Sequence, residues 1–382
     1  MNQIRDVAIL GAGIAGSSLA KTLADRGWDT VLIDRKQFPR HKVCGEFLSP
    51  ESQSMLKELG LSNQVELLQP YSITRARLLF NFGNPLEIPL TGVALGLSRY
   101  SLDATLHQAA SNAGVNILTS TTVTSVNPHG SGFTIETKQG EERQSYRARA
   151  VIAAWGSNGH AGLPGHHSNG HVKHAYVGIK SHFVGIDAEP VVELYFFDGG
   201  YVGVSPVEGG IVNVAALLKR DRFTSSSDKS VLGWIEAARR RHPKLNQKLA
   251  NATPVPGTQA AVAPVVLNRK PLTWEMIPQV GDAAVMIPPL CGDGMSMALR
   301  SALLCAPLAN RFLSGEISLQ DWRQQYTQAV RREFSGPFQW GQLFQWLFQA
   351  PVLPRLFLGI APLAPGLVTK FVQATRLKES DV

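Results

Sequence analysis

Cysteine is scarce, with three residues in 382. That is too few for a disulfide framework and points to a reducing, cytoplasmic setting. Long apolar runs are also missing. None reaches the roughly 18 uninterrupted residues of a membrane-spanning helix. The nearest approach, LFQWLFQAPVLPRLFLGIAPLAPGLVTKF, is broken by Arg355 and by four prolines. The first strand begins near Asp6, so no leader segment is expected. Charged residues are sparse, at 17%, and the net charge of +8 is scattered. One short basic run, Arg239-Arg240-Arg241, reads as the solvated end of a helix and not as a nucleic-acid patch. There is no internal repeat and no low-complexity segment. What remains is 44% hydrophobic, which is ample for a large core and for two or three domains.

The opening residues carry the strongest signal. VAIL is a short aliphatic run suited to a buried parallel strand. GAGIAG follows at once, placing Gly11, Gly13 and Gly16 at the start of a helical stretch, SSLAKTLADRG, that ends at Gly27. TVLID then reads as a second strand ending in Asp34. This is a complete strand–turn–helix–strand dinucleotide fingerprint. Gly11 makes the tight turn, Gly13 lets the backbone approach a pyrophosphate, and Gly16 lets helix and strand pack closely. The helix N-terminus presents free N–H groups and a positive dipole end. Asp34 stands where a carboxylate accepts from a ribose hydroxyl. The expected cofactor contacts here are Gly11, Gly13, Ile14, Ala15, Gly16, Asp34 and Arg35. The fingerprint alone does not separate FAD from NAD.

Three later stretches bear on that choice: RKQFPRHKVCGEFLSPES after Asp34, LSRYSLDATLHQAASNAGVNILTSTTVTSV at 97–126, and GDAAVMIPPLCGDGMSMALRSA at 281–302. Together with the fingerprint they resemble the FAD-dependent superfamily of p-hydroxybenzoate-hydroxylase-like monooxygenases, geranylgeranyl reductases and flavin-dependent halogenases, over about residues 1 to 330. The resemblance implies FAD, with Gly281 and Asp282 at the ribityl chain and Pro289 near the isoalloxazine edge. Gly292, Gly294 and Met295 would open a helix toward the pyrimidine end, where a helix N-terminus stabilises negative charge. Asp293 is expected to cap that helix. Arg99 would lie against the cofactor, and Val123, in the strand TVTSV, would support the adenine. KVCGEF resembles the Lys-x-Cys-Gly stretch of the geranylgeranyl reductases, which implies that Cys44 and Gly45 lie near the flavin. Cys291, on the other flavin-facing loop, would then be a neighbour of Cys44; Cys305 reads as core.

The chain also departs from the family pattern. VIAAWGSNG carries Trp155 where the hydroxylases have an aspartate before glycine, which argues against direct reduction by NAD(P)H. Tyr201 and Pro206 match the geranylgeranyl-reductase pocket motif, and Pro206 the halogenase one, but Gly203 and Ser205 are small where those motifs are bulky, which suggests room beside the flavin. No second strand–GxGxxG–helix unit is present, so electrons would come from transiently bound NAD(P)H or from a partner reductase. The five histidines from His160 to His174 lie in a Gly-rich stretch without a fixed i, i+4 pair. We read it as a loop at a domain junction, and no metal site is expected.

These features predict an α/β chain with a Rossmann-like FAD domain (1–70, 96–160 and 275–330). An interleaved antiparallel-sheet substrate domain (71–95 and 165–274) and a helical C-terminal segment (331–382) complete it. In that last segment Trp340, Phe344, Trp346, Leu347 and Phe348 pack on the body or line a lipophilic tunnel, with peripheral membrane contact as the alternative. The expected enzyme acts on a lipophilic small molecule. Monooxygenation is the leading reaction and flavin-dependent C=C reduction the rival, with Cys44, Tyr201 and Pro289 as the catalytic candidates.

Overall fold

The computed structural model describes residues 4–157, 163–164, 176–223, 228–267, 269–349 and 376–377. The chain starts with β1 (Ile4–Leu10), α1 (Ile14–Ala24), β2 (Thr30–Ile33), β3 (Phe47–Leu48), α2 (Ser52–Glu58) and α3 (Ser62–Glu66). It continues through β4 (Tyr71–Phe80), β5 (Leu86–Gly96), α4 (Arg99–Asn112), β6 (Asn116–Leu118), β7 (Thr122–His129), β8 (Gly132–Gln139) and β9 (Glu142–Ala153). Next come β10 (Tyr176–Val184), β11 (Val191–Phe197), β12 (Gly200–Pro206), β13 (Val212–Lys219), α5 (Val231–Arg239) and α6 (Pro243–Lys248). It closes with β14 (Thr253–Pro254), β15 (Ala260–Val265), α7 (Gly294–Leu313) and α8 (Leu319–Gln349).

The first sheet has the order β6-β2-β1-β9-β8-β7. Its first four strands run parallel, and β7, β8 and β9 form an antiparallel meander. The aliphatic residues of β1 and β2 are buried on both faces, as a covered parallel sheet requires. Val7, Ile9 and Leu32 pack under α1, α4 and α7, while Ala8, Leu10, Val31 and Ile33 meet Val123, Phe133 and Ile135.

The second sheet has the order β14-β10-β13-β12-β11-β4-β5-β3, with β15 also paired to β10. An all-antiparallel sheet was expected; β11 and β4 are parallel. No hairpin joins that pair. The β4–β5 hairpin comes from early in the chain and docks beside β11. Strand alternation divides the sheet's two faces. Tyr195, Val202, Val204 and Val214 pack under α5 and α6, and Phe80, Phe196, Tyr201 and Leu217 face the opposite way, toward Met286 and Phe348.

Helix α8 passes residue 330 without a break. Of its aromatic residues, Phe348 packs on Phe80 and Phe196, with ring centroids 5.7 and 5.2 Å apart, while Trp346 is exposed. Among the described residues no helix is long and apolar enough to cross a membrane. The histidine loop, apart from Leu163 and Pro164 within it, falls outside the described residues, as do residues 350–375.

Candidate cofactor and substrate site

The three glycines of the opening turn have different neighbours. Gly11 sits at φ +113°, and a Cβ there would lie 2.4 Å from the Ala154 carbonyl oxygen. A Cβ on Gly16 would lie 1.9 Å from the Gly11 carbonyl oxygen. Both positions therefore need glycine for the protein's own packing. Gly13 differs: a Cβ would meet nothing closer than Arg99 Nη2 at 3.9 Å. It is the N-cap of α1, and no side chain caps that helix. Asp34, at the end of β2, accepts from the backbone N–H of Ala12 through Oδ2 and from that of Lys36 through Oδ1, each at 2.8 Å.

Arg99 opens α4, and its guanidinium is held by Asp103 through bonds of 2.9 and 2.8 Å. That position is set from the far sheet. Glu208, at the β12–β13 turn, accepts from the Ser98 N–H at 2.8 Å and from the Ser101 hydroxyl at 2.7 Å. Cys44 lies beside Arg99, within hydrogen-bonding reach of its guanidinium. Its Sγ accepts from the Glu46 N–H at 3.4 Å, and its carbonyl accepts from Asn213 Nδ2 at 3.0 Å.

Gly292, at φ +74°, turns the chain into α7. The expected Asp293 side-chain cap is not made. Its carboxylate instead pairs with Arg376, which also lies over the Phe47 ring. Burial pushes the Asp293 carboxyl up to about 7 even beside that cation. Cys291 packs against α8, where a Cβ on Gly341 would lie 3.0 Å from its Sγ. Burial raises the Cys291 thiol and the Tyr201 phenol far above their ordinary values, so both keep their protons. Cys305 is buried in the core on α7.

One cavity of about 700 Å³ collects these groups. Gly11, Gly13, Ile14, Ala15, Asp34, Arg35, Cys44, Gly45, Arg99, Val123, Gly281, Asp282, Gly292, Gly294 and Met295 line it, together with Tyr201 and Pro289. Cys291 and Trp155 line it too, so the two thiols open onto the same space. Gly16 does not line it; its place is the contact between turn and helix. The second half of the wall is apolar, with Leu78, Ile88, Leu194, Val265, Phe344 and Phe348. Gly203 and Ser205 are there as well, and a Cβ on Gly203 would touch Leu194 Cδ2 at 3.4 Å.

Several wall residues were not singled out from sequence. Arg40 and Lys42 line the cavity, and among the described residues neither makes an ion pair. Burial, then the Arg99 charge, holds the Lys42 ammonium below its ordinary value. Their signal was the basic run from Arg35 to Lys42, just ahead of Cys44. Glu46, also on the wall, meets Lys180 and His182 from β10 behind it, all three buried. A lysine and a histidine two residues apart in one strand share a face, which was the readable signal for this cluster.

The wall suits FAD. An uncapped helix N-terminus with open space over Gly13, next to two cations that make no ion pair among the described residues, is a site for a pyrophosphate. The carboxylate of Asp34 lies beyond it, and a 700 Å³ cavity is large enough for a dinucleotide-sized ligand.

Known proteins agree with this geometry. The chain is 26% identical to the menaquinone reductase of Mycolicibacterium smegmatis, over 99% of this chain and 92% of that one. It is 27% identical to digeranylgeranylglycerophospholipid reductase 2 of Methanopyrus kandleri, over 90% and 85%. In fold it is similar to a geranylgeranyl bacteriochlorophyll reductase-like protein of Thermoplasma acidophilum, with a TM-score of 0.70, 19% identity, and 97% and 99% of the two chains covered. A myxobacterial chondrochloren halogenase also has this fold, with a TM-score of 0.74, 23% identity, and 90% and 82% covered. Residues 5–322 match the family model described as FAD binding domain, and the chain belongs to this family of FAD-dependent oxidoreductases.

Proposed function

We propose that the protein is an FAD-dependent reductase that saturates a C=C bond in a long, prenyl-type lipophilic substrate. The observation that carries this is the two-part cavity. One cavity is lined by the dinucleotide cradle and by an apolar set of side chains, with a protonated phenol, Tyr201, and a thiol, Cys44, also on its wall. The relatives' names support it, since menaquinone and digeranylgeranyl lipids both carry prenyl chains rich in isolated C=C bonds. When bound and reduced, FAD supplies a hydride. The turn from Gly11 to Ala15, with Arg40 and Lys42, holds the pyrophosphate, and Asp34 holds the ribose. Arg99 and Asp282 contact the middle of the cofactor, Val123 supports the adenine, and Pro289 with the Gly292–Met295 turn borders the ring. Leu194, Phe344 and Phe348 exclude water and align the substrate chain. Tyr201 keeps its proton at Oη and presents a neutral hydroxyl to the chamber. Trp155, and the lack of a second dinucleotide motif, favour a partner reductase over NAD(P)H as the electron source. The exposed Trp346 on α8 favours loading of substrate from a membrane surface.

Monooxygenation is the second reading, favoured by the small Gly203 and Ser205. Leu194, on the neighbouring strand, lies beside Gly203 and makes that part of the wall apolar. The test is anaerobic incubation of chemically reduced protein with menaquinone or a geranylgeranyl lipid, followed by mass spectrometry. The expected product has gained two hydrogens. A product that forms only with oxygen and carries one labelled oxygen atom overturns reduction in favour of monooxygenation.

A further inference from the structure

Glu46, Lys180 and His182 form a buried cluster in which Glu46 lines the cavity and Lys180 and His182 stand behind it. Lys180 Nζ donates to Glu46 Oε1 at 2.6 Å, which also accepts from the Arg99 backbone N–H at 2.9 Å. His182 Nε2 lies 2.6 Å from Glu46 Oε2 and 2.8 Å from Lys180 Nζ. A single ring nitrogen therefore touches a group that only accepts and a group that only donates. With a proton on Nε2, the ring donates to Glu46. Without it, Nε2 accepts from Lys180. Both charge states of the imidazole are hydrogen-bonded without any atom moving. A buried polar group left unsatisfied in one of its states would resist entering that state. This one has a partner in each.

A merely structural tie between β10 and the segment leading into β3 would need one protonation state, not two. The surroundings point to exchange with the cavity. The His41 ring meets the His182 ring edge to face at 5.1 Å and lines the cavity. Its Nδ1 has no hydrogen-bond partner among the described residues. On its other side it stacks on Tyr100, at 4.8 Å. The charged groups facing these rings are Glu46 and Lys180, with Arg99 and Lys42 on the neighbouring wall. The His182 backbone N–H is tied to Thr258 Oγ1 at 3.0 Å. An imidazole relays a proton by accepting on one nitrogen and releasing from the other, so His41 does not need to carry the charge.

We propose that His182 is the proton store of the site, poised by Glu46 and Lys180, and that His41 is its outlet to the cavity. This rests on the reductive reading above. Saturating one C=C bond consumes a hydride from the reduced cofactor and one proton. The proton passes from His182 Nε2 to Glu46 Oε2 and from there, by way of water at His41, into the cavity; the cluster charge falls by one until a proton returns along the same path. His182 acts here as a positioning and proton-storing residue behind the groups that touch substrate.

His182→Gln tests it, because the amide bonds to both partners but does not titrate. The holoprotein, labelled with nitrogen-15 at histidine, is followed by NMR from mildly acidic to mildly alkaline pH, before and after reduction of its FAD with dithionite. One imidazole is expected to titrate at Nε2, to change protonation on reduction, and to vanish in His182→Gln. With menaquinone as the probe, kcat is expected to fall about 100-fold in His182→Gln. KM and FAD content should stay unchanged, and the pH dependence of kcat should flatten. His41→Phe, which keeps the stacking on Tyr100, should lower kcat similarly while leaving the His182 titration in place. A His182 locked in one protonation state overturns the proposal, as does wild-type kcat in His182→Gln. If menaquinone is not reduced by the wild-type protein, the reductive reading fails there, and the NMR titration still decides the proton store.

Discussion

Replacing Gly13 by Val separates cofactor binding from folding. At φ −78° and ψ −171° the residue is in extended backbone that valine accepts. Its Cβ would enter open space, with Arg99 Nη2 the nearest atom at 3.9 Å. Losing the flexible glycine stabilises by about 0.4–1 kcal/mol through the unfolded chain. Losing a tolerated N-cap glycine costs about a few tenths to 1 kcal/mol. The two nearly cancel, so the melting temperature of the apoprotein should move by no more than a few degrees. The branched side chain, however, occupies the space proposed for the pyrophosphate. Wild-type protein at about 100 times the dissociation constant for FAD gains about 2.7 kcal/mol from the ligand. Gly13→Val should gain nothing and should purify colourless. Gly16→Ala is the contrast. Its Cβ would lie 1.9 Å from the Gly11 carbonyl oxygen, so the turn itself must shift, at about 1–3 kcal/mol. Thermal unfolding with and without added FAD, together with flavin absorbance, reads both effects. A yellow Gly13→Val at full occupancy refutes the cradle, and an apo Gly13→Val that melts as low as Gly16→Ala refutes the packing argument.

Cys44→Ser should keep its FAD content but change turnover or the flavin spectrum, because the thiol lies between the Glu46 N–H and Arg99; if neither changes, Cys44 only packs. NADH and NADPH should reduce the bound cofactor slowly in stopped-flow mixing without substrate, and fast reduction would show that Trp155 does not hinder nicotinamide. Burial raises the Asp293 carboxyl from its ordinary value to about 7, so the folded state binds a proton that the unfolded chain has released. Stability should therefore fall as pH rises from about 4 to 7 and flatten above that. Asp293→Asn should remove this slope in denaturant titrations at several pH values, and an unchanged slope would show that another group sets it.

Much of the scaffold was legible because its signals are local. Gly11, Gly13, Gly16 and Asp34 are fixed by a turn, a helix start and a strand end within one short stretch. The alternating residues of β10 to β13 announce their strands. Long-range contacts were not legible. That β4 would lie parallel to β11 depends on where an early hairpin docks. That Asp293 would pair with Arg376 instead of capping α7 depends on a residue about eighty positions away. Glu208 holding the start of α4, and His182 meeting Glu46, join segments more than a hundred residues apart in the chain. Periodicity and spacing describe an element's own neighbourhood, and these contacts lie beyond it.

The order in which the chain visits the cavity has a consequence for its biogenesis. The wall takes Gly11 from the first turn, Cys44 and Arg99 from later segments, Tyr201 from the second sheet, and Asp282 to Met295 from the far end. Strand β9 must return to lie beside β1, and Ala153 then bridges to Gln279. Such distant pairings make folding slow. A ribosome-bound chain that has not yet made α7 holds the first glycine turn without the other side of the cradle. No stretch of this protein shorter than nearly the whole chain should bind FAD, and the cofactor should enter late, as a ligand that locks a finished topology.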